Sequence, residues 1–245
     1  MTPWVADARP ATVNLMAEGA GGTVLISSAL TASGGVARAG LAAFDLATGA
    51  LLPWAPPASS NVRFVAAAAG RVYFTQSALT TVVDAVTGVS IASLPDTTPF
   101  FADDTQIYWA KGPEFVGPFT VERAALATGA VDPSWRPGIF VPLDVASDAT
   151  TLYFAGLGIA AVDKVTGKVR WQNPTANVRR LTVSGDTLYT DGGLFAMATF
   201  DARTGAPMAS QPFAGGISAM TMADGRLVST AAHRGRCRHR SARAR

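Results

Sequence analysis

Along almost the whole chain, short runs of apolar, β-branched or aromatic residues alternate with Gly, Asp, Pro and Thr turns. No window keeps a 3.6-residue apolar period long enough to compete as a helix. Two series of such runs interleave. One comprises GTVLISS, GRVYFTQ, DTQIYWA, ATTLYFA, GDTLYTD and DGRLVST, and all four tyrosines (Tyr73, Tyr108, Tyr153, Tyr189) hold the same place in it. The other comprises AAFDLATGALLPW, VVDAVTGVSIASL, ERAALATGAVDPSW, AAVDKVTGKVRW and ATFDARTGAPMAS, each with a Thr-Gly pair between two runs. A residue type returning to one structural position four times reads as packing rather than catalysis.

The Thr-Gly glycines are Gly49, Gly88, Gly129, Gly167 and Gly205, separated by 39, 41, 38 and 38 residues. That period matches the roughly 40–45 residues of a propeller blade. One unit reads as a strand VRFVAAA, a turn at Gly70, a strand RVYFTQ, a strand TVVDAV, the Thr87-Gly88 hairpin and a strand VSIASL. Glycine supplies the positive φ that such a turn needs, and the Asp three residues before the Thr can accept turn amides. The expected fold is all-β: a β-propeller of about six four-stranded antiparallel blades, incomplete or open. Its repeat units lie near 5–54, 55–95, 96–136, 137–173 and 174–212, with a partial unit at 213–230.

Composition narrows the chemistry. Of 245 residues 49% are hydrophobic and only 15% charged, with 24 Gly and 15 Pro, which describes a folded chain rather than a disordered one. No stretch reaches the roughly 18 uninterrupted apolar residues of a spanning helix, and MTPWVADARP has neither a basic nor an apolar leader region. The pI near 9.3 is misleading, because six of the twenty Lys and Arg residues fall after position 230. Residues 1–230 hold fourteen basic and seventeen acidic side chains, a mildly acidic body. His233, His239 and Cys237 also lie in the tail, so the body has no imidazole or thiol. Disulfides, body metal sites built on His or Cys, and Ser-His-Asp or Cys-His catalysis are thereby excluded. Gly-rich stretches such as EGAGGTV open no helix and are not phosphate loops.

Trp54, Trp135 and Trp171 fall five to seven residues after the Thr of their hairpins and are expected to pack between blades. Trp109 lies in the tyrosine series instead. AAVDKVTGKVRW resembles the tryptophan-docking motif of quinoprotein-type (PQQ-like) propellers, with Ala161, Asp163, Thr166, Gly167, Lys168 and Trp171 in its fixed places. LISSALTASGGVARAGLAAFDLATGALLPWAP and VDPSWRP resemble the bacterial delta-60 type of repeat. Together the resemblances cover residues 4 to 230. They imply a bacterial, exported propeller, extracellular or periplasmic, and leave activity open, since such propellers include enzymes, scaffolds and surface modules. Quinoprotein dehydrogenases resemble this chain in the docking motif but add a Cys-Cys ring, a calcium site and a catalytic Asp. Here there is no Cys pair, and Glu18, Glu114 and Glu122 match no calcium ligand set.

The expected function is therefore a non-enzymatic binding or scaffold propeller for a protein or glycan partner, with no catalytic, cofactor or metal residue assigned and nucleic acid not expected. Two alternatives stay open. A carboxylate glycosidase or lyase at the propeller funnel would draw on Asp103, Asp104, Glu114, Asp144 or Asp191, although Asp103, Asp104 and Asp148 read more simply as turn residues. A quinone-cofactor-binding propeller lacking the dehydrogenase set would need Arg63, or Arg179 with Arg180. At the ends, Trp4 in MTPW resembles the close of an outer strand, and SAMTMA and GRLVST resemble the first two strands of a further blade. Residues 231–245 read as a basic disordered tail and the chain as a truncated fragment of a larger propeller.

Overall fold

The computed structural model describes residues 8–9, 15–19, 21–27, 32–33, 36–58, 62–76, 79–95, 97–111, 120–140, 142–174, 178–191, 196–212, 216–223, 226–232 and 239–243. Trp4 and Glu114 lie outside them. Among the described residues every extended regular element is a β-strand, as the alternation predicts. β1 (Ala8–Arg9), β2 (Leu15–Gly19), β3 (Thr23–Ser27), β4 (Ala32–Ser33), β5 (Val36–Ala37) and β6 (Leu41–Asp45) make two three-stranded sheets, β1-β4-β5 and β2-β3-β6. β7 (Val62–Ala68), β8 (Arg71–Gln76), β9 (Leu79–Asp84) and β10 (Ser90–Pro95) form a four-stranded antiparallel meander. β11 (Thr98–Ala102), β12 (Gln106–Lys111) and β13 (Thr120–Ala125) form a three-stranded sheet.

Two further four-stranded meanders follow: β14 (Asp144–Ser147) to β17 (Val169–Asn173) through β15 (Thr151–Ala155) and β16 (Ile159–Asp163), then β18 (Leu181–Ser184) to β21 (Pro207–Pro212) through β19 (Thr187–Thr190) and β20 (Ala196–Asp201). The last sheet is β22 (Gly216–Ala223), β23 (Arg226–Ala232) and β24 (His239–Arg243). This recurring meander is the blade of a β-propeller. The chain divides into two compact units, Met1–Pro118 with Glu122–Asp132, and Phe119–Val121 with Pro133–Arg245.

Two features differ from the sequence expectation. In the first and third repeats the outer strand shrinks to one bridge, Phe44 with Leu51 and Ala124 with Val131. Pro53 and Pro133 follow within two residues, and a proline has no N–H to extend the ladder. In the basic tail, where no strand was expected, His239–Arg243 pairs antiparallel with β23, from Arg226 opposite Arg243 to Thr230 opposite His239. Covering the edge of an eight-by-seven-residue hairpin removes a row of unpaired backbone groups.

The cores lie between successive sheets. Leu25, Leu41, Ala43 and Trp54 pack against Val62, Val72, Phe74 and Val83, while Tyr73 and Val82 meet Ile107, Trp109, Ala124 and Leu126. In the other unit Tyr153, Ala155, Ile159 and Ala161 meet Val178, Leu181, Leu188 and Phe200. Tyr73 and Tyr153 serve these interfaces, and Tyr108 and Tyr153 each anchor a turn five residues upstream. Tyr108 Oη donates to Asp103 Oδ2 at 3.2 Å and Tyr153 Oη to Asp148 Oδ2 at 2.7 Å. Burial first, and then the Asp148 carboxylate, push the Tyr153 phenol up to about 12.

The Thr-Gly hairpins share one local geometry. Asp45, Asp84, Asp163 and Asp201 each accept, on Oδ1, the amide and hydroxyl of the Thr three residues on, at 2.7–2.9 Å. The third hairpin has Ala125 in place of the Asp, and the Thr128 amide turns to the Ala125 carbonyl at a longer 3.3 Å. The glycine that closes each turn has φ between +71° and +73°.

These hairpins are also where neighbouring repeats are joined. The Trp ending one repeat lies over the hairpin glycine of the next, and its indole N–H donates to a carbonyl there: Trp54 to Asp84 O at 3.2 Å, Trp135 to Lys164 O at 3.0 Å and Trp171 to Ala202 O at 3.0 Å. A Cβ on Gly88, Gly167 or Gly205 would meet that same indole. The second repeat has no Trp to offer. Ala92, opposite Val82 on β9, occupies the register that Trp171 holds opposite Ala161 on β16. Its joint to the third hairpin is made by Tyr73 Oη at 2.6 Å and Arg71 Nη1 at 3.1 Å, both donating to Leu126 O, the position equivalent to Lys164 and Ala202.

Candidate functional site

Of the acidic and basic residues that the sequence put forward, the structure brings together Asp144, Asp191, Arg179 and Arg180. Asp144 opens β14; its Oδ1 accepts the Val145 amide at 3.0 Å and its Oδ2 the amide of Leu181, first residue of β18, at 3.1 Å. Asp191, buried just beyond β19, accepts the Arg179 amide at 3.0 Å, and its own amide donates to Arg180 O at 3.1 Å. The two acids thus hold one three-residue segment, Arg179–Leu181, that leads into β18. Burial pushes the Asp144 carboxyl above the usual carboxylate range, against the pull of the Leu181 and Val145 amides and of Arg180; the charge of Asp191 adds to the rise.

The remaining candidates do not join them. Asp103 accepts the Thr105 and Gln106 amides, and Asp148 those of Thr150 and Thr151, so both are turn residues, as the simpler reading has it. Asp104 is exposed and lines a shallow cleft of about 270 Å³ with Glu18, Ala67–Arg71 and Ala85. Arg63 is exposed on β7, in the other unit from Arg179 and Arg180. Among the described residues no cluster of three His, Cys, Asp or Glu side chains could hold a metal ion, and no helix is long and apolar enough to cross a membrane. What sequence reasoning missed is the Arg71–Tyr73 joint; its signal was the absence of Trp from the end of the second repeat.

Chemically, a glycosidase needs two carboxyl groups facing each other with oxygens free for substrate and water. Each Asp144 oxygen accepts one backbone amide, from two successive first strands, and this makes the residue a clamp between repeats. The clamp and the hairpins respond oppositely to pH. The Arg170 guanidinium, with Nη2 at 2.6 Å, and the Thr166 amide hold the Asp163 carboxyl well below its usual range. Its contribution is present above the unfolded carboxylate pKa near 4 and is lost as pH falls through the folded value. Asp144, with its pKa raised, contributes most below the unfolded value, and that contribution is lost as pH rises through the folded one. Asp163→Asn is therefore expected to cost more at pH 7 than at pH 3, and Asp144→Asn more at pH 3 than at pH 7. Melting temperatures of both variants and the parent at the two pH values read this directly; parallel shifts would contradict it.

Residues 143–242 match a family model described as Outer membrane protein assembly factor BamB. The match covers the two meanders β14–β17 and β18–β21 and the last sheet, which are thereby similar to repeats of the PQQ-like propeller type. Among solved structures, BamB from Moraxella catarrhalis is similar at 14% identity and a TM-score of 0.51, covering 89% of this chain and 81% of that one. The computationally designed Ika8 protein is similar at 14% identity and a TM-score of 0.65, covering 90% and 68%. A chain of the Mitotic Checkpoint Complex gives 12% identity and a TM-score of 0.69, covering 94% and 77%. At these identities the likeness is one of fold. No curated protein matches the chain by sequence.

Proposed function

We propose that this chain is a non-enzymatic propeller scaffold that binds a protein or glycan partner, and that it is an exported bacterial protein. The observation that carries this reading is the engagement of its best-placed acids. Asp144 and Asp191 serve backbone amides, as do the hairpin acids Asp45, Asp84, Asp163 and Asp201. The likeness to BamB, whose name is that of an outer membrane protein assembly factor, and to a chain of the Mitotic Checkpoint Complex favours protein over glycan. Propeller folds host many activities, so the fold alone does not carry this step. One observation favours a second reading, a carboxylate glycosidase or lyase: Asp144 and Asp191 converge on one segment beside Arg180.

The test presents the immobilised protein to a bacterial envelope extract and to a glycan array, and assays a panel of chromogenic glycosides in parallel. The expected result is saturable retention of one partner at a fixed ratio, with glycoside turnover at background in the parent, Asp144→Asn and Asp191→Asn alike. Turnover above background that either substitution abolishes would establish the second reading instead.

A further inference from the structure

We infer that the first Thr-Gly hairpin carries a seat for a tryptophan, and that Trp4 of this chain is the residue that fills it. The hairpin has the geometry of those that hold an indole. Asp45 accepts the Thr48 amide and hydroxyl at 2.7 Å, and Gly49 stands at φ +73°. The sheet behind it repeats the same receiving face. Val24 pairs with Phe44 across β3 and β6 as Leu188 pairs with Phe200 across β19 and β20, and as Val72 pairs with Val83 across β8 and β9. Leu188 and Phe200 pack with Trp171, and Val72 and Val83 with Trp54. The first repeat differs in being open. Leu46 is 55% exposed, whereas Leu126 and Ala202, which hold its place in the third and fifth hairpins, are 0% and 3% exposed. A cavity of about 310 Å³ lies beside Leu46, lined also by Ala17, Glu18, Thr23 and Val24.

The sequence singles out the occupant. Of its five tryptophans, Trp54, Trp135 and Trp171 are seated on hairpins and Trp109 is buried in β12. Trp4 is the fifth, and it follows Pro3 as Trp54 follows Pro53. Spacing agrees. Each seated Trp precedes the carbonyl that accepts its indole N–H by 29–31 residues, while Trp4 precedes Leu46 by 42. The connection from β3 to β6 accounts for the difference, because it runs over 13 residues, 28–40, where the matching connections β8–β9, β15–β16 and β19–β20 run over two, three and five. Without that excess of 8–11 residues, Trp4 stands 31–34 residues before Leu46. An indole lying over Gly49, with its N–H on the Leu46 carbonyl, would cover the exposed leucine and fill apolar space that otherwise faces water.

NMR on the full chain with isotope-labelled tryptophan tests this, Trp4→Phe identifying the Trp4 signals. The expected result is through-space contact between the Trp4 ring and the α-protons of Gly49, with an indole N–H that exchanges at least about tenfold more slowly than in a peptide of residues 1–7. Gly49→Val, which sets a branched side chain where the ring lies, should return that exchange to the peptide rate. Gly129→Val, with the same φ at a hairpin where a Cβ meets nothing, should leave it slow. The Trp54, Trp135 and Trp171 signals report whether each variant is folded. A Trp4 indole that exchanges at the peptide rate in the parent overturns the inference and leaves the seat to a tryptophan of another chain. A protected Trp4 whose ring contacts another part of the chain overturns it too, as does protection that survives in folded Gly49→Val.

Discussion

Replacing Trp135 with alanine is expected to destabilise the fold by about 3–5 kcal/mol, the range for truncating a buried Trp. Trp135 is 1% exposed, lies over Gly167, and gives its indole N–H to Lys164 O at 3.0 Å. Alanine would remove the ring from between two repeats, leave a cavity and strip a carbonyl of its donor. For a chain of this length about 3–5 kcal/mol corresponds to a fall of roughly 6–20 °C in melting temperature. Trp135→Phe separates the contributions, because it keeps most of the ring and loses only the N–H; about 1 kcal/mol is expected for the bond. Urea unfolding of the three proteins, followed by hydrogen exchange across residues 160–170, measures both. A loss under about 1 kcal/mol for Trp135→Ala would mean that the strand ladders alone hold these repeats.

That a Trp joins repeats was legible before any coordinates, because the joint is written locally: Asp, Thr and Gly at fixed offsets, then a Trp where the outer strand ends. The same local signals placed β7, β8 and β10 within a residue of their observed ends. The partner of each Trp was not legible, since a backbone carbonyl in the next repeat has no side-chain signature. Nor was the substitution of Arg71 and Tyr73 for the missing Trp, because nothing in GRVYFTQ tells a tyrosine that only packs from one whose hydroxyl reaches 53 residues ahead to Leu126. The reduced outer strands of the first and third repeats were readable in principle from Pro53 and Pro133. Asp144 and Asp191 were named in the sequence only by elimination, as two of five acids outside the hairpins offered for catalysis, and their shared role as a clamp was not legible. Its members are 47 positions apart and meet only through the amides of Arg179 and Leu181.

Gly205→Ala is expected to be the most damaging of the hairpin glycine substitutions, and the series it belongs to separates steric docking from backbone strain. Gly88, Gly129, Gly167 and Gly205 share φ values of +71° to +73°, so alanine at any of them incurs the same left-handed cost of about 1–2 kcal/mol. What differs is the space. Over Gly129 a Cβ meets nothing within 4 Å, over Gly88 it would sit 3.5 Å from Trp54 Cδ1, over Gly167 3.0 Å from Trp135 Cδ1, and over Gly205 it would overlap the Trp171 ring, 2.6 Å from Cζ3. Overpacking of this kind adds about 1–3 kcal/mol. The expected order of cost is Gly129, Gly88, Gly167, Gly205, with Gly129→Ala near 1–2 kcal/mol and Gly205→Ala near 2–5 kcal/mol, about the sum of the two terms. Equal losses at Gly129 and Gly205 would show that the turn alone demands glycine. The decisive comparison is a double-mutant cycle, because Trp171→Ala removes the obstacle: in that background Gly205→Ala should fall to the cost of Gly129→Ala, a coupling of about 1–3 kcal/mol. Among the described residues no indole lies over Gly129, where the joint is the Arg71 and Tyr73 pair; the same Trp171→Ala background should therefore leave the cost of Gly129→Ala unchanged.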